Sequence, residues 1–148
     1  MRVAVIIAAV VVLCDAATKL LGRAVLSAPG FTLFPGIVLR VVDNPRGPFS
    51  LGSVGLAAGL SLVVLLFLIS CLHSARSSPR AAAFLALMLG GGVANVGERL
   101  LFGQSTNLVV LAEWTAVNVA DLAIGLGTIG LILEPLVRRR AVAGYGAS

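Results

Sequence analysis

Four stretches of mostly apolar residues dominate the chain, at roughly 3–21, 52–72, 81–102 and 115–136. A helix rising about 1.5 Å per residue needs about 20 residues to cross a hydrocarbon core about 30 Å thick. Each stretch is long enough. Backbone polar groups in lipid must bond within their own segment, which makes each stretch a helix. Of the 148 residues, 59% are hydrophobic and 11% charged, against about a quarter charged in soluble domains. A soluble fold would have nowhere to hide so much apolar surface. The expected class is therefore an all-α polytopic membrane protein, a single membrane domain over 1–148 with four transmembrane helices.

The net charge of +5 raises the question of nucleic acid, but the basic residues form no patch interleaved with aromatics, so no nucleic-acid partner is expected. Their placement fits a topology instead. Arg2, Arg76, Arg80, Arg138, Arg139 and Arg140 fall on one side, and Lys19, Arg23, Arg40, Arg46 and Arg99 on or near the other. The positive-inside rule puts both termini in the cytoplasm on that bias. Cys14 and Cys71 lie near opposite faces and are expected to be unbridged. The basic residue, apolar run and Cys14 at the N-terminus mimic a lipoprotein signal. Leu13 stands where such processing needs a small residue, and three further spans follow, so the stretch is read as a span.

The first outer connection, about 22–51, carries Pro29, Pro35, Pro45 and Pro48 and is broken by turns. Within it the β-branched run Gly36 to Asp43 reads as a strand, with Gly30 to Phe34 as a partner, which predicts a small extracytoplasmic β platform. Gly103 to Trp114 is the second outer connection, with Trp114 as an interfacial anchor. Residues 137–148 read as a short disordered cytoplasmic tail.

A charged side chain within a span costs about 2.5–3.5 kcal/mol on insertion scales and needs a reason to be there. Asp15 sits late in the first span, Glu98 and Arg99 late in the third and Asp121 early in the fourth, so all converge on the outer half of the bilayer. Glu98 and Asp121, at matched depth on neighbouring helices, can face each other and share a proton, the arrangement in which one acid activates water and the other donates to a carbonyl. The other reading of Glu98 is a structural salt bridge to Arg99 or Lys19. Asn95 and Asn118 each precede an acid by three residues and share its helical face, either as orienting partners or as polar glue between helices. Gly90, Gly91 and Gly92 are read as close-packing positions.

Together these residues resemble the lipoprotein signal peptidase (signal peptidase II) family over nearly the whole chain. Asp15-Ala-Ala-Thr18-Lys19 is similar to its Asp-x-x-Thr-Lys motif, and Asp43-Asn44-Pro-Arg-Gly-Pro-Phe49-Ser50 to its Asn-x-Gly-x-Ala-Phe element. Gly90-Gly91-Gly-Val-Ala-Asn95-Val-Gly-Glu98-Arg99 resembles Gly-Gly-x-x-x-Asn-x-x-Asp-Arg, and Val117-Asn118-Val-Ala120-Asp121-Leu-Ala-Ile124 resembles Phe-Asn-x-Ala-Asp-x-x-Ile. The resemblance implies an intramembrane aspartyl endopeptidase of the bacterial inner membrane, with its site toward the outer face. Such an enzyme removes signal peptides from diacylglyceryl-modified prolipoproteins by cutting before the lipidated cysteine. It implies Glu98 and Asp121 as the catalytic pair, and Asn44, Asn95, Arg99 and Asn118 as a substrate-binding set that Asp15 and Lys19 complete from the first span. Partners would be prolipoproteins and membrane lipids, the chain a monomer, and no metal or cofactor is implied.

Four positions depart from that pattern. Glu98 replaces the first catalytic Asp, Arg46 a glycine, Pro48 an alanine, and Asn107 an Asp found in many members. The extra methylene of Glu98 moves its carboxylate by more than about 1 Å, a misplacement that can cost on the order of 100-fold in rate. Three functions stay open: a working peptidase, an impaired or inactive homologue that binds lipoproteins or lipids, and an unrelated transporter or assembly factor using the acids as a proton relay.

Overall fold

The structure, a computed structural model, describes residues 2–26, 29–44 and 78–145, with scattered positions between 59 and 75. Helix α1 (Arg2–Val25) leads into strands β1 (Phe31–Phe34) and β2 (Ile37–Asn44). Helix α2 (Pro79–Phe102) is followed by β3 (Ser105–Leu111), β4 (Thr115–Val117) and helix α3 (Val119–Tyr145).

Helix α1 has 24 residues, about 36 Å by helical rise. Its buried stripe is Ala4, Val11, Asp15, Lys19 and Gly22, while Ile6, Leu13, Leu20 and Leu21 face outward. Charges inside and leucines outside invert the pattern of a helix in water and match one in lipid. Helices α1 and α2 are both long and apolar enough to cross a membrane. Helix α2 starts at an N-cap, Ser78, whose side chain accepts from the Ala81 N–H, with Pro79 in the first turn. It stops at Gly103, which has φ 73° and donates its N–H to the Arg99 carbonyl.

Helix α2 is central and packs on both α1 and α3. The glycines expected to allow close approach do so. A Cβ on Gly90 would meet the Ala8 carbonyl oxygen of α1 at 2.8 Å, and one on Gly91 would run into the Ala120 carbonyl of α3. The expected span 52–72 lies largely outside the described residues. Of its described positions, Leu65, Leu68 and Cys71 pack with Leu85 and Leu89 of α2. Cys14 and Cys71 are both free.

The sheet is an antiparallel meander in the order β1-β2-β3-β4. The β1–β2 hairpin turns through Pro35-Gly36, with Gly36 at φ 82°, which suits the third position of a type II turn. The platform expected from the first connection alone is shared between two connections, because β3 and β4 arise from the segment read as a plain link. In β2–β3, Asp43 pairs with Thr106 and Asn44 with Ser105. The sheet caps the end of the bundle where α1 and α2 finish and α3 begins. Helix α3 starts at Val119 rather than near 115, so Asp121 falls in its first turn, shallower in the helix than expected. The same helix continues past Pro135 to Tyr145, into the segment expected as a disordered tail. Arg46 and Pro48 lie outside the described residues.

Candidate active site

The polar residues of helices α1, α2 and α3 meet beneath the sheet. From α1, Asp15 and Lys19 are one helical turn apart and ion-paired, Lys19 Nζ lying 2.6 Å from Asp15 Oδ2. Asp15 is 2% exposed, and its Oδ1 accepts the Ala120 N–H at 2.9 Å. That carboxylate therefore sits at the N-terminus of α3, where free amides and the helix dipole favour an anion. Thr18 of the same motif turns its hydroxyl back onto the Cys14 and Asp15 carbonyls of its own helix.

From α2 come Asn95, Glu98 and Arg99. Glu98 is the second partner of Lys19, with Oε2 2.7 Å from Nζ, so of the two salt bridges open from sequence the one to Lys19 is formed. The Thr106 N–H donates to the same oxygen at 3.0 Å, and the Thr106 hydroxyl donates to Oε1 at 2.7 Å. Arg99 Nη2 donates to Ser105 Oγ at 2.9 Å. Its Nε is buried with no hydrogen-bond partner among the described residues.

At the start of α3, Asn118 and Asp121 bond to each other reciprocally. The Asp121 N–H donates to Asn118 Oδ1 at 2.9 Å, and the Asn118 N–H donates to Asp121 Oδ2 at 3.2 Å. This is a capping box, the polar opening of a helix. Asn118 Nδ2 reaches the Asn95 Oδ1, the Thr106 carbonyl and Asn107 Oδ1 at 2.9–3.0 Å. Asn95 then links the two acids: its Oδ1 accepts from Lys19 Nζ at 3.3 Å, and its Nδ2 donates to Asp121 Oδ1 at 2.8 Å. Among the described residues no hydrogen bond joins Glu98 to Asp121; one route between them runs through Lys19 and Asn95 and another through Thr106 and Asn118.

Burial divides the set. Asp15, Lys19, Asn95, Arg99 and Asn118 are buried, whereas Glu98 and Asp121 are half-buried. The frame is closed and its two acids are open. Asn44 is half-buried at the end of β2, opposite Ser105. Sequence reading missed Ser105 and Thr106, whose segment carries a β-branched, strand-like run. No group of three or more His, Cys, Asp or Glu residues suited to a metal occurs among the described residues.

The fold is that of a helical bundle capped by a small antiparallel sheet, and it is shared with solved proteins. Two solved structures described as bacterial membrane enzymes superpose on it. One has a TM-score of 0.79 and 20% identity over 92% of this chain and 94% of its own; the other has 0.75 and 18% over 93% and 89%. A family model described as Signal peptidase (SPase) II matches residues 7–137. The lipoprotein signal peptidase of Cellvibrio japonicus is 32% identical over 126 residues, spanning 77% of this chain and 72% of that protein. That of Rhodococcus jostii is 32% identical over 142 residues, spanning 89% and 71%. The chain belongs to the signal peptidase II family, a family of membrane-embedded peptidases.

Proposed function

We propose that the chain is an intramembrane aspartyl-type endopeptidase that removes signal peptides from diacylglyceryl-modified prolipoproteins, cutting before the lipidated cysteine. The observation that carries this reading is the pair of half-buried acids, Glu98 and Asp121, set in a closed frame of buried amides and cations. A carboxylate offers about four acceptor positions. Glu98 has three filled by Lys19 and Thr106, and Asp121 two filled by Asn95 and Asn118. Each retains room for a water or a substrate group.

In this mechanism Glu98, ionised beside Lys19, takes a proton from the attacking water. Asp121, whose partners are neutral amides, carries the second proton and gives it to the scissile carbonyl oxygen. On collapse of the tetrahedral intermediate the C–N bond breaks, Glu98 gives its proton to the leaving amine, and Asp121 regains one from the intermediate's hydroxyl as the new carboxyl group forms. Arg99, whose Nη2 donates to Ser105 Oγ, belongs to the substrate-binding set in this reading. Asn44, Asn95 and Asn118 complete the substrate-binding set, with Asp15 and Lys19 holding it from behind.

The same reading places four helices across the bacterial inner membrane with both termini cytoplasmic. It sets the sheet and the acids at the outer face, with lipid-modified prolipoproteins and membrane lipids as partners of a monomer. Trp114, 84% exposed beside β4, suits an interfacial anchor.

One observation favours a second reading, an impaired homologue that binds lipoproteins: Glu98 is held by Lys19 and Thr106 rather than by Asp121. Cleavage of a diacylglyceryl-modified prolipoprotein by the wild type, Glu98→Asp, Glu98→Gln and Asp121→Asn separates the two. A peptidase cleaves as wild type and loses activity in both amide variants. An inactive wild type rescued by Glu98→Asp supports the impaired homologue, and wild-type cleavage that survives both amide variants removes the two acids from the mechanism.

A further inference from the structure

Thr106 belongs to none of the four motifs, yet its N–H and hydroxyl both bond Glu98 and its carbonyl bonds the amide of Asn118. Its hydroxyl donates to Glu98 Oε1 at 2.7 Å, its N–H to Glu98 Oε2 at 3.0 Å, and its carbonyl accepts from Asn118 Nδ2 at 3.0 Å. The residue is 0% exposed. Arg23 Nη2 donates to the same hydroxyl oxygen at 2.6 Å and is itself 2.6 Å from Asp43 Oδ1. A hydroxyl has one hydrogen and two lone pairs. With a lone pair taken by Arg23, that hydrogen is left to point at Glu98.

We propose that Thr106 is a positioning residue of this site, fixing the plane of the Glu98 carboxylate and tying it through Asn118 to Asp121. Lys19 reaches one oxygen of Glu98, which supplies charge but leaves the carboxylate free to turn. The terminal torsion of a glutamate is broad, without sharp staggered wells, and a glutamate has one more rotatable bond than an aspartate. Thr106 takes both oxygens and removes that freedom. The outer sheet, through the partner of Asp43 in register, thereby sets the geometry of an acid carried by α2. Arg23 acts one step further out by orienting the hydroxyl.

This inference rests on the peptidase reading, so its test has a readout that does not depend on cleavage. Thr106→Val removes the hydroxyl and suits a strand, and Thr106→Ser keeps the hydroxyl. Full-length wild type, both variants and Asp121→Asn are assayed for prolipoprotein cleavage in proteoliposomes. The same preparations are treated with a hydrophobic carbodiimide, and modification of Glu98 is followed by mass spectrometry. Thr106→Val is expected to lower kcat at least about 10-fold with KM nearly unchanged, and Thr106→Ser to restore it. Glu98 modification is expected to accelerate several-fold in Thr106→Val and not in Thr106→Ser. Wild-type kcat in Thr106→Val, equal losses in both variants, or equal Glu98 modification in Thr106→Val and wild type each overturns the inference. If the wild type does not cleave, the peptidase reading fails and the modification rates alone decide the role of Thr106.

Discussion

Lys19 and Glu98 lie 79 residues apart in the chain and 2.7 Å apart in space, and the same ammonium is 2.6 Å from Asp15. One cation thus ties two carboxylates from two helices, and Asp15 carries the link on to the first turn of α3. Removing it leaves both acids unpaired in a largely buried setting, and breaking a buried pair from one side costs about 3–5 kcal/mol. Lys19→Met is expected to lower thermal stability in detergent by that order and to abolish cleavage. A variant as stable as wild type would show that the ammonium holds nothing together.

Asn118 does two separable jobs. Its Oδ1 caps α3, and its Nδ2 binds Asn95, Thr106 and Asn107. Asn118→Ala loses both, and loss of an N-cap alone costs about 1 kcal/mol. Asn118→Ser keeps a capping oxygen and loses the amide donors. Thermal unfolding is expected to rank Ser above Ala, while cleavage falls in both, because Asp121 and Thr106 are no longer bridged. Full cleavage by Asn118→Ser would limit this residue to starting the helix.

The sequence made the cluster legible because polar residues inside a span must answer to one another. The Asp15–Lys19 spacing yields the one-turn ion pair, and Gly90 and Gly91 yield the helix contacts. Asn118-x-x-Asp121 also fits a second pattern besides the shared helical face. As a shared face inside a span it places the helix start near 115; as a capping box it places it at Val119, where the structure has it. The signal was present and local. Thr106 was not legible in that way. Its role depends on β2 and β3 pairing across two connections separated by more than a helix, and the polar start of a strand looks like a link until its partner strand is known. The bridge from Glu98 to Asp121 through Lys19 and Asn95 is non-local for the same reason.

Gly91 and Gly97 lie on one helix and should respond in opposite ways. A Cβ on Gly91 would strike the Ala120 backbone, whereas one on Gly97 meets nothing within 4 Å. Backbone cannot yield as a side chain can, so Gly91→Ala is expected to destabilise by about 1–3 kcal/mol. It should also reduce cleavage, since Ala120 adjoins Asp121. Gly97→Ala relieves glycine's entropic cost in a helix interior and is expected to stabilise by about 0.5–1 kcal/mol. Thermal unfolding of both variants checks the pair, and equal effects would contradict the close α2–α3 contact.

The turns of the sheet allow one principle to be tested in both directions. Ala112 has φ 50° between β3 and β4, a left-handed conformation that costs a residue with a Cβ roughly 1–2 kcal/mol. Ala112→Gly removes that strain, keeps the backbone bond from the Ala112 N–H to the Gly36 carbonyl, and spares the Arg40–Glu113 pair. Against the added flexibility of the unfolded chain, a net gain of about 0.5–1 kcal/mol is expected. Gly36 itself has φ 82°, and the nearest atom to a Cβ placed there is 4.0 Å away. Gly36→Ala thus meets no steric clash and carries backbone strain alone, for an expected loss of about 1–2 kcal/mol. Thermal unfolding reads both, and cleavage should change in neither, because the hairpin tips lie away from Thr106 and the acids. A loss of activity in either variant would mean that the platform transmits strain from its tips to the site.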